Sequence, residues 1–194
     1  MAMQTLKELF VDKLKDVYDA ERRITRALPK IIKAANDEDL SRTLEEHLQQ
    51  TEGHIERLDR VFEGIGESPG RKPCHGMMGI LEEGDELLDK DSPEAVMDAG
   101  LIAAAQSVEH YEITAYGCLK TWANHLDMKD EANLLDETLE EEKDADEKLN
   151  RIASTVNPRA SRVESAEGEQ GEPAPVRRRT TGGGSSRSAR ARQQ

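Results

Sequence analysis

Residues 99–119 read AGLIAAAQSVEHYEITAYGCL. Leu101, Ala105, Val108, Tyr116 and Leu119 recur at helical spacing, which makes one apolar face. Glu109 and Glu112 lie on that same face. A charged side chain on a core stripe is the informative feature, because burying an unpaired carboxylate is costly. It must take up a proton or meet a cation.

Working outward, Ser92 and Pro93 form a start signal for this helix, with Ser92 as N-cap and Pro93 as first helical residue. The helix is predicted to reach about Asn124. A following helix begins after Asp127 and ends near Thr155. Its stripe is Leu135, Leu139, Leu149 and Ile152, interrupted by Glu142 and Asp146.

The N-terminal half repeats the layout. A helix is predicted from about Met3 to Asn36, opened by a capping box of Thr5 and Glu8. Phe10, Leu14, Val17, Ile24, Leu28 and Ile31 form its stripe, and Glu21 falls on it. Pro29 predicts a kink rather than a break, since the stripe continues beyond it. A second helix, from about Glu38 to Ile65, has Asp37 as N-cap and ends at Gly64 and Gly66. Its stripe of Leu40, Leu44, Leu48, Ile55 and Leu58 carries His47, Thr51 and His54 on or beside it. Residues 66–76 (GESPGRKPCHG) read as a loop and Met77–Asp89 as a short helix. A connection this long suits a crossover along the side of a bundle. The fold class is therefore all-α, an antiparallel four-helix bundle with a short extra helix in the crossover.

Spacing places the acidic residues at one depth. Glu21 to Thr51 and Glu112 to Glu142 are each 30 residues apart. At about 1.5 Å rise per residue, each second helix returns to the level of its partner's glutamate. Glu21, Glu112 and Glu142 then converge from three helices, with Glu109 and Asp146 one helical turn away. Carboxylates with imidazoles are the donor set of a dinuclear iron or manganese centre. The usual distribution is one Glu on each of two helices and Glu-x-x-His on the other two. Here Thr51 stands where Glu is expected before His54, and Ala145 stands where His is expected after Glu142. Glu109 and Asp146 are candidates to replace them. The expected metal ligands are Glu21, His54, Glu109, Glu112, Glu142 and Asp146. His47 reads as a core histidine or one supporting the ligands. Tyr18 and Tyr116 lie one turn from Glu21 and Glu112 and read as core packing. His75 and Cys74 are too few for a metal site.

The runs at 16–31 (DVYDAERRITRALPKI), 47–58 (HLQQTEGHIERL), 99–119 and 134–149 (LLDETLEEEKDADEKL) resemble the YciE/YciF-like stress-induced proteins of the ferritin-like superfamily. The resemblance covers about residues 4–154. It implies a ferritin-like bundle, often a homodimer, with a suspected dinuclear metal centre. By position it aligns Glu21, Glu112 and Glu142 with ferritin-like carboxylate ligands and His54 with the histidine of the second helix.

Composition bounds the remainder. The chain has 40 acidic and 27 basic residues, a net charge of −13. Residues 177–194 hold six arginines and no acid, so the body is more acidic than the total. Such a body repels nucleic acid and leaves the Arg-rich tail as the one candidate contact with it. Residues 1–157 are expected to form the bundle and 158–194 a disordered tail, which lacks apolar residues to bury. Two cysteines without a CxxC suggest no disulfide framework. The N-terminus has no signal-peptide pattern and no run is long enough to span a bilayer, so a cytoplasmic location is expected. Two functional classes are open: a redox metalloprotein acting on peroxide, dioxygen or metal ions, and a non-enzymatic stress scaffold with a vestigial site.

Overall fold

The computed structural model describes residues 3–169. Five helices follow in order: α1 (Leu6–Ala34), α2 (Glu38–Gly64), α3 (His75–Leu88), α4 (Glu94–His125) and α5 (Lys129–Glu169). The start of α1 is the expected capping box. Glu8 N–H donates to Thr5 Oγ1 at 3.1 Å and Thr5 N–H to Glu8 Oε2 at 2.9 Å. Asp37 caps α2, accepting from the N–H groups of Asp39 and Leu40.

Two tight ends turn the chain. After α2, Gly66 takes φ +69°, with Gly66 N–H bonded to Glu63 O and Glu67 N–H to Phe62 O. After α4, Asp127 takes the same left-handed conformation, φ 59°, with Met128 N–H bonded to Ala123 O and Asp127 N–H to Asn124 O. Both are Schellman ends, which satisfy carbonyls left over by the helix.

Helices α1, α2, α5 and α4 pack in a ring, each against its neighbours, and α3 lies across α4 and α1. The buried apolar residues fall into two clusters. One contains Phe10, Leu14 and Val17 of α1, Leu58 and Phe62 of α2, Leu119 of α4 and Leu135 of α5. The other contains Ile24 and Leu28, Leu40 and Leu44, Leu101 and Ala105, and Leu149 and Ile152 of the same helices. α1 and α5 pass from the first cluster to the second, while α2 and α4 pass from the second to the first. Every neighbouring pair in the ring is thus antiparallel, and all four helices cross one boundary between two cores.

Three details differ from the sequence reading. Pro93, not Ser92, is the N-cap of α4, and no side chain caps that end. The loop expected through residue 76 ends sooner: α3 begins at His75, with Cys74 as its cap and Met77 N–H 3.5 Å from Cys74 Sγ. α5 runs through Pro158 to Glu169 instead of stopping near Thr155. Proline has helical φ, and what opposes the helix is its missing N–H and the clash of its ring with the carbonyl one turn back. The hydroxyls of Ser154 and Thr155 bond to Arg151 O and Ile152 O in that turn. Val156 is fully buried, and Arg159 pairs with Asp37 at the start of α2. Most of the expected tail, residues 170–194, lies outside the described residues. No described helix is long and apolar enough to cross a membrane.

Candidate metal centre

The boundary between the two cores is a polar layer. Glu21, Thr51, His54, Glu112 and Glu142 are fully buried there, and His47 and Glu109 are nearly so. Each side chain is carried inward by the helical period that forms the apolar stripe on either side of it. On α2, His47 and His54 are seven residues apart, two turns on one face. Thr51 sits between them, and its hydroxyl donates to His47 O at 2.8 Å, within the helix.

The donor atoms form two groups. His47, Glu109, Glu112 and Glu142 bring ligand atoms within 4.8 Å of one another, as do Glu21, His54 and Glu142. Glu142 belongs to both, the arrangement expected of a carboxylate shared by two ions. The set is four carboxylates and two imidazoles. Those are the donors of a dinuclear carboxylate bundle, redistributed so that α2 supplies both histidines and α4 two glutamates. Four carboxylate charges balance two divalent cations.

The layer is not satisfied by the protein itself. Among the described residues, nine buried side-chain atoms lack a hydrogen-bond partner: Glu21 Oε2, both His47 nitrogens, His54 Nδ1, Glu109 Oε2, and both oxygens of Glu112 and of Glu142. Buried polar atoms are nearly always paired in native proteins. Nine orphans confined to one layer fit cation binding and do not fit a packed hydrogen-bond network.

Electrostatics follow from this crowding. Burial, with the charges of Glu21 and Glu142 added, pushes the Glu112 carboxyl well above the usual range. Burial and Glu142 do the same to Glu109. Burial also raises Glu21, against the lowering effect of His54. Burial holds His47 below its ordinary value, in its neutral, ligand-competent form. For His54, burial opposes the charge, but Glu21, Glu141 and Glu142 outweigh it and push the imidazole up to about 12. A divalent ion would replace that proton as the positive charge facing Glu21 and Glu142.

Atoms around His54 define its orientation. Nε2 lies 2.8 Å from Glu141 Oε2. Nδ1 points inward, 3.0 Å from Glu142 Oε1 and 3.4 Å from Glu21 Oε1, aligned for a hydrogen bond with neither. Glu141 is itself gripped by Arg57 through contacts of 2.6 and 2.8 Å. The hydrogen bond from His54 and those from Arg57 outweigh partial burial and hold Glu141 at about 2. A carboxylate behind a ligating histidine fixes its tautomer and leaves the other nitrogen free for metal. On the opposite side, Tyr116 donates its hydroxyl to Glu21 Oε1.

Of the residues expected from sequence, Glu21, His54, Glu109, Glu112 and Glu142 are brought together. Asp146 is not. Its carboxylate accepts from Gln106 Nε2 at 3.0 Å and Asn150 Nδ2 at 3.1 Å, and lies 3.3 Å from the exposed His110. From Glu142 to Asp146 the helix turns slightly past one revolution, toward the rim between α4 and α5. His47 takes the vacant place from α2. The available signal was its seven-residue spacing from His54. Glu141 was missed because its neighbour Glu142 was the residue on the stripe. Tyr116, read as packing, bonds to Glu21, whereas Tyr18 packs edge-on against Phe62 with ring centroids 5.7 Å apart.

Comparison with known proteins agrees with this architecture. Residues 5–161 match the family model described as a domain of unknown function, DUF892. The chain belongs to the DUF892 family. It is 45% identical over 162 residues to protein YciF of Escherichia coli strain K12, covering 82% of this chain and 98% of that one. The crystal structure of the E. coli stress protein YciF aligns with TM-score 0.78 at 44% identity, over 80% of this chain and 99% of that one. YcfI of Rhodopseudomonas palustris aligns with TM-score 0.74 at 44% identity, over 76% and 94%. A Xanthomonas campestris protein shares the fold at 20% identity and TM-score 0.65, over 86% and 99%.

Proposed function

We propose that this DUF892 protein holds two divalent iron or manganese ions in the bundle core and uses them in protection against peroxide or reactive metal ions. The observation that carries this reading is the set of nine buried side-chain atoms in one layer that lack a hydrogen-bond partner. The stress designation of its relative YciF is consistent with a protective role.

The fit of the chain to such a pair is chemical. A mixed carboxylate and imidazole set suits iron and manganese. When bound, the ions supply Lewis acidity and redox capacity at a protected site. Glu142, common to both groups, would be shared between two ions; His47, Glu109 and Glu112 would serve one and Glu21 with His54 the other. The Arg57–Glu141 pair holds His54 in orientation, and the Tyr116 hydroxyl holds Glu21. Tyr116 is kept protonated by burial and the surrounding carboxylates, so it remains a donor. The apolar cores above and below exclude bulk water.

Elemental analysis after anaerobic loading with Fe(II) or Mn(II) tests the reading, followed by peroxide-decay assays. About two ions per chain and accelerated peroxide decay are expected. Substoichiometric binding with unchanged decay would overturn it. The scaffold reading would be favoured instead if a Glu21, Glu112, Glu142 triple-alanine variant kept full protection in cells. Homodimer formation, and nucleic-acid contact through the Arg-rich tail, remain proposals apart from this centre.

A further inference from the structure

An apolar pocket lies between α1, α2, α3 and α4 and includes His47 and Glu109 of the metal layer in its lining. Its solvent end is Asp85 of α3, exposed and paired with Lys30 of α1 at 2.8 Å. The rest of the lining includes partly buried Ile31 and Leu81, buried Leu28, Leu44 and Val108, and buried His47 and Glu109. Both ring nitrogens of His47 and Oε2 of Glu109 lack a hydrogen-bond partner, His47 Nε2 lying 3.4 Å from Glu109 Oε1. The same pocket is thus bordered by an exposed residue, by apolar side chains and by two buried residues of the polar layer.

Size and polarity select what can occupy it. The volume is about 30 Å³. A water-sized group needs about 10–15 Å³, so the pocket accepts something on the order of two such groups in line. An organic substrate is too large, since small-molecule sites run to about 300 Å³ and more. Peroxide and water would shed hydrogen bonds along the apolar stretch without replacement. An apolar diatomic molecule loses none.

The geometry points to a dioxygen-binding pocket that delivers this oxidant to the metal position formed by His47, Glu109, Glu112 and Glu142. The inference rests on the metal reading above and deepens its reactive-metal half, by naming dioxygen as the oxidant of bound Fe(II) and the side of its approach; peroxide would reach the layer by another route. α3 provides one wall: Gly84 packs beside Ala104, where an added Cβ would be in ordinary contact with the Ala104 Cβ at 3.7 Å. The crossover helix therefore helps to make the pocket as well as span the bundle.

Xenon pressurisation of crystals of the metal-free protein is the first test, since it needs no bound metal. A xenon peak between Leu44, Val108 and His47 is expected in the wild type and not in Ala104→Leu. Ordered water filling the pocket, or no gas peak, would overturn the inference. The second test is oxidation of anaerobically iron-loaded protein by dioxygen. Ala104→Leu, and Ala27→Leu from the α1 wall, should each slow it about fivefold or more with iron stoichiometry unchanged. Unaltered oxidation rates in both variants would overturn the proposal even with a gas peak present. A gas peak in protein that binds no iron would instead overturn the metal reading, and with it the delivery role. The two failures are thereby distinguishable.

Discussion

At the scale of single residues, the layer trades stability for binding capacity. Glu112 has two buried oxygens with no partner and a carboxyl driven toward its neutral form. An unsatisfied buried polar group costs about 1–3 kcal/mol. Glu112→Met keeps much of the volume and removes the polar atoms. The metal-free variant is expected to be more stable by about that amount, read from denaturant titration, while metal stoichiometry falls. A loss of stability in the metal-free state would mean that Glu112 has a partner within the fold. Glu141 tests orientation instead. It holds His54 Nε2 at 2.8 Å and bonds to Arg57. Glu141→Ala removes the acceptor without touching a candidate donor in the layer. Metal affinity measured by competition with a chelator should fall about 10–100-fold, the usual effect of losing the carboxylate behind a ligating histidine.

At the scale of elements, the ends of the helices set how far the bundle extends. Asp37 caps α2 and also receives Arg159 from α5, beyond Pro158. Burial is the largest single influence and raises the Asp37 pKa, but Arg159 and the N–H groups of Leu40 and Asp39 together outweigh it and hold the carboxyl below its ordinary value. A depressed native value means that the ionised form is favoured by folding. Its contribution is complete above about pH 4 and is lost as pH falls through the native value. Asp37→Ala should destabilise the protein by about 1 kcal/mol at neutral pH. The gap between wild type and variant should narrow on acidification below about pH 4 in urea melts at stepped pH. A gap independent of pH would assign the effect to packing and not to the ionised cap. Truncation at residue 157 would remove Arg159 and should reproduce part of the same loss.

At the scale of the whole molecule, the two apolar clusters lie on either side of the polar layer, with partly buried Tyr111 packed against both. Ions bound there would tie all four helices together and bind the native state alone. Linkage then raises stability by about 4 kcal/mol at a thousandfold excess over the dissociation constant. Thermal melts with Mn(II), reversed by a chelator, check this, and an unchanged midpoint would exclude binding at the core.

Much of this architecture was legible in the pattern of residues. The apolar stripes, the Thr5–Glu8 and Asp37 caps and the glycines after α2 act within a few residues, so they identify helices from local chemistry alone. The 30-residue spacings of Glu21–Thr51 and Glu112–Glu142 placed the carboxylates at one depth because helical rise is nearly constant. The membership of the layer was less accessible. Asp146 and His47 differ by their rotation about a helix axis, which is settled by how α2 and α5 face α1 and α4. Sequence spacing does not encode that facing when both residues lie near the edge of a stripe. Continuation of α5 past Pro158 likewise depended on a distant partner, Asp37, that no local rule supplies. The number, order and direction of the helices, and the depth of the acidic residues, therefore follow from the chain's own periodicity. Which donors meet, which carboxylate is common to both groups and where an apolar pocket borders them depend on packing angles between helices distant in sequence.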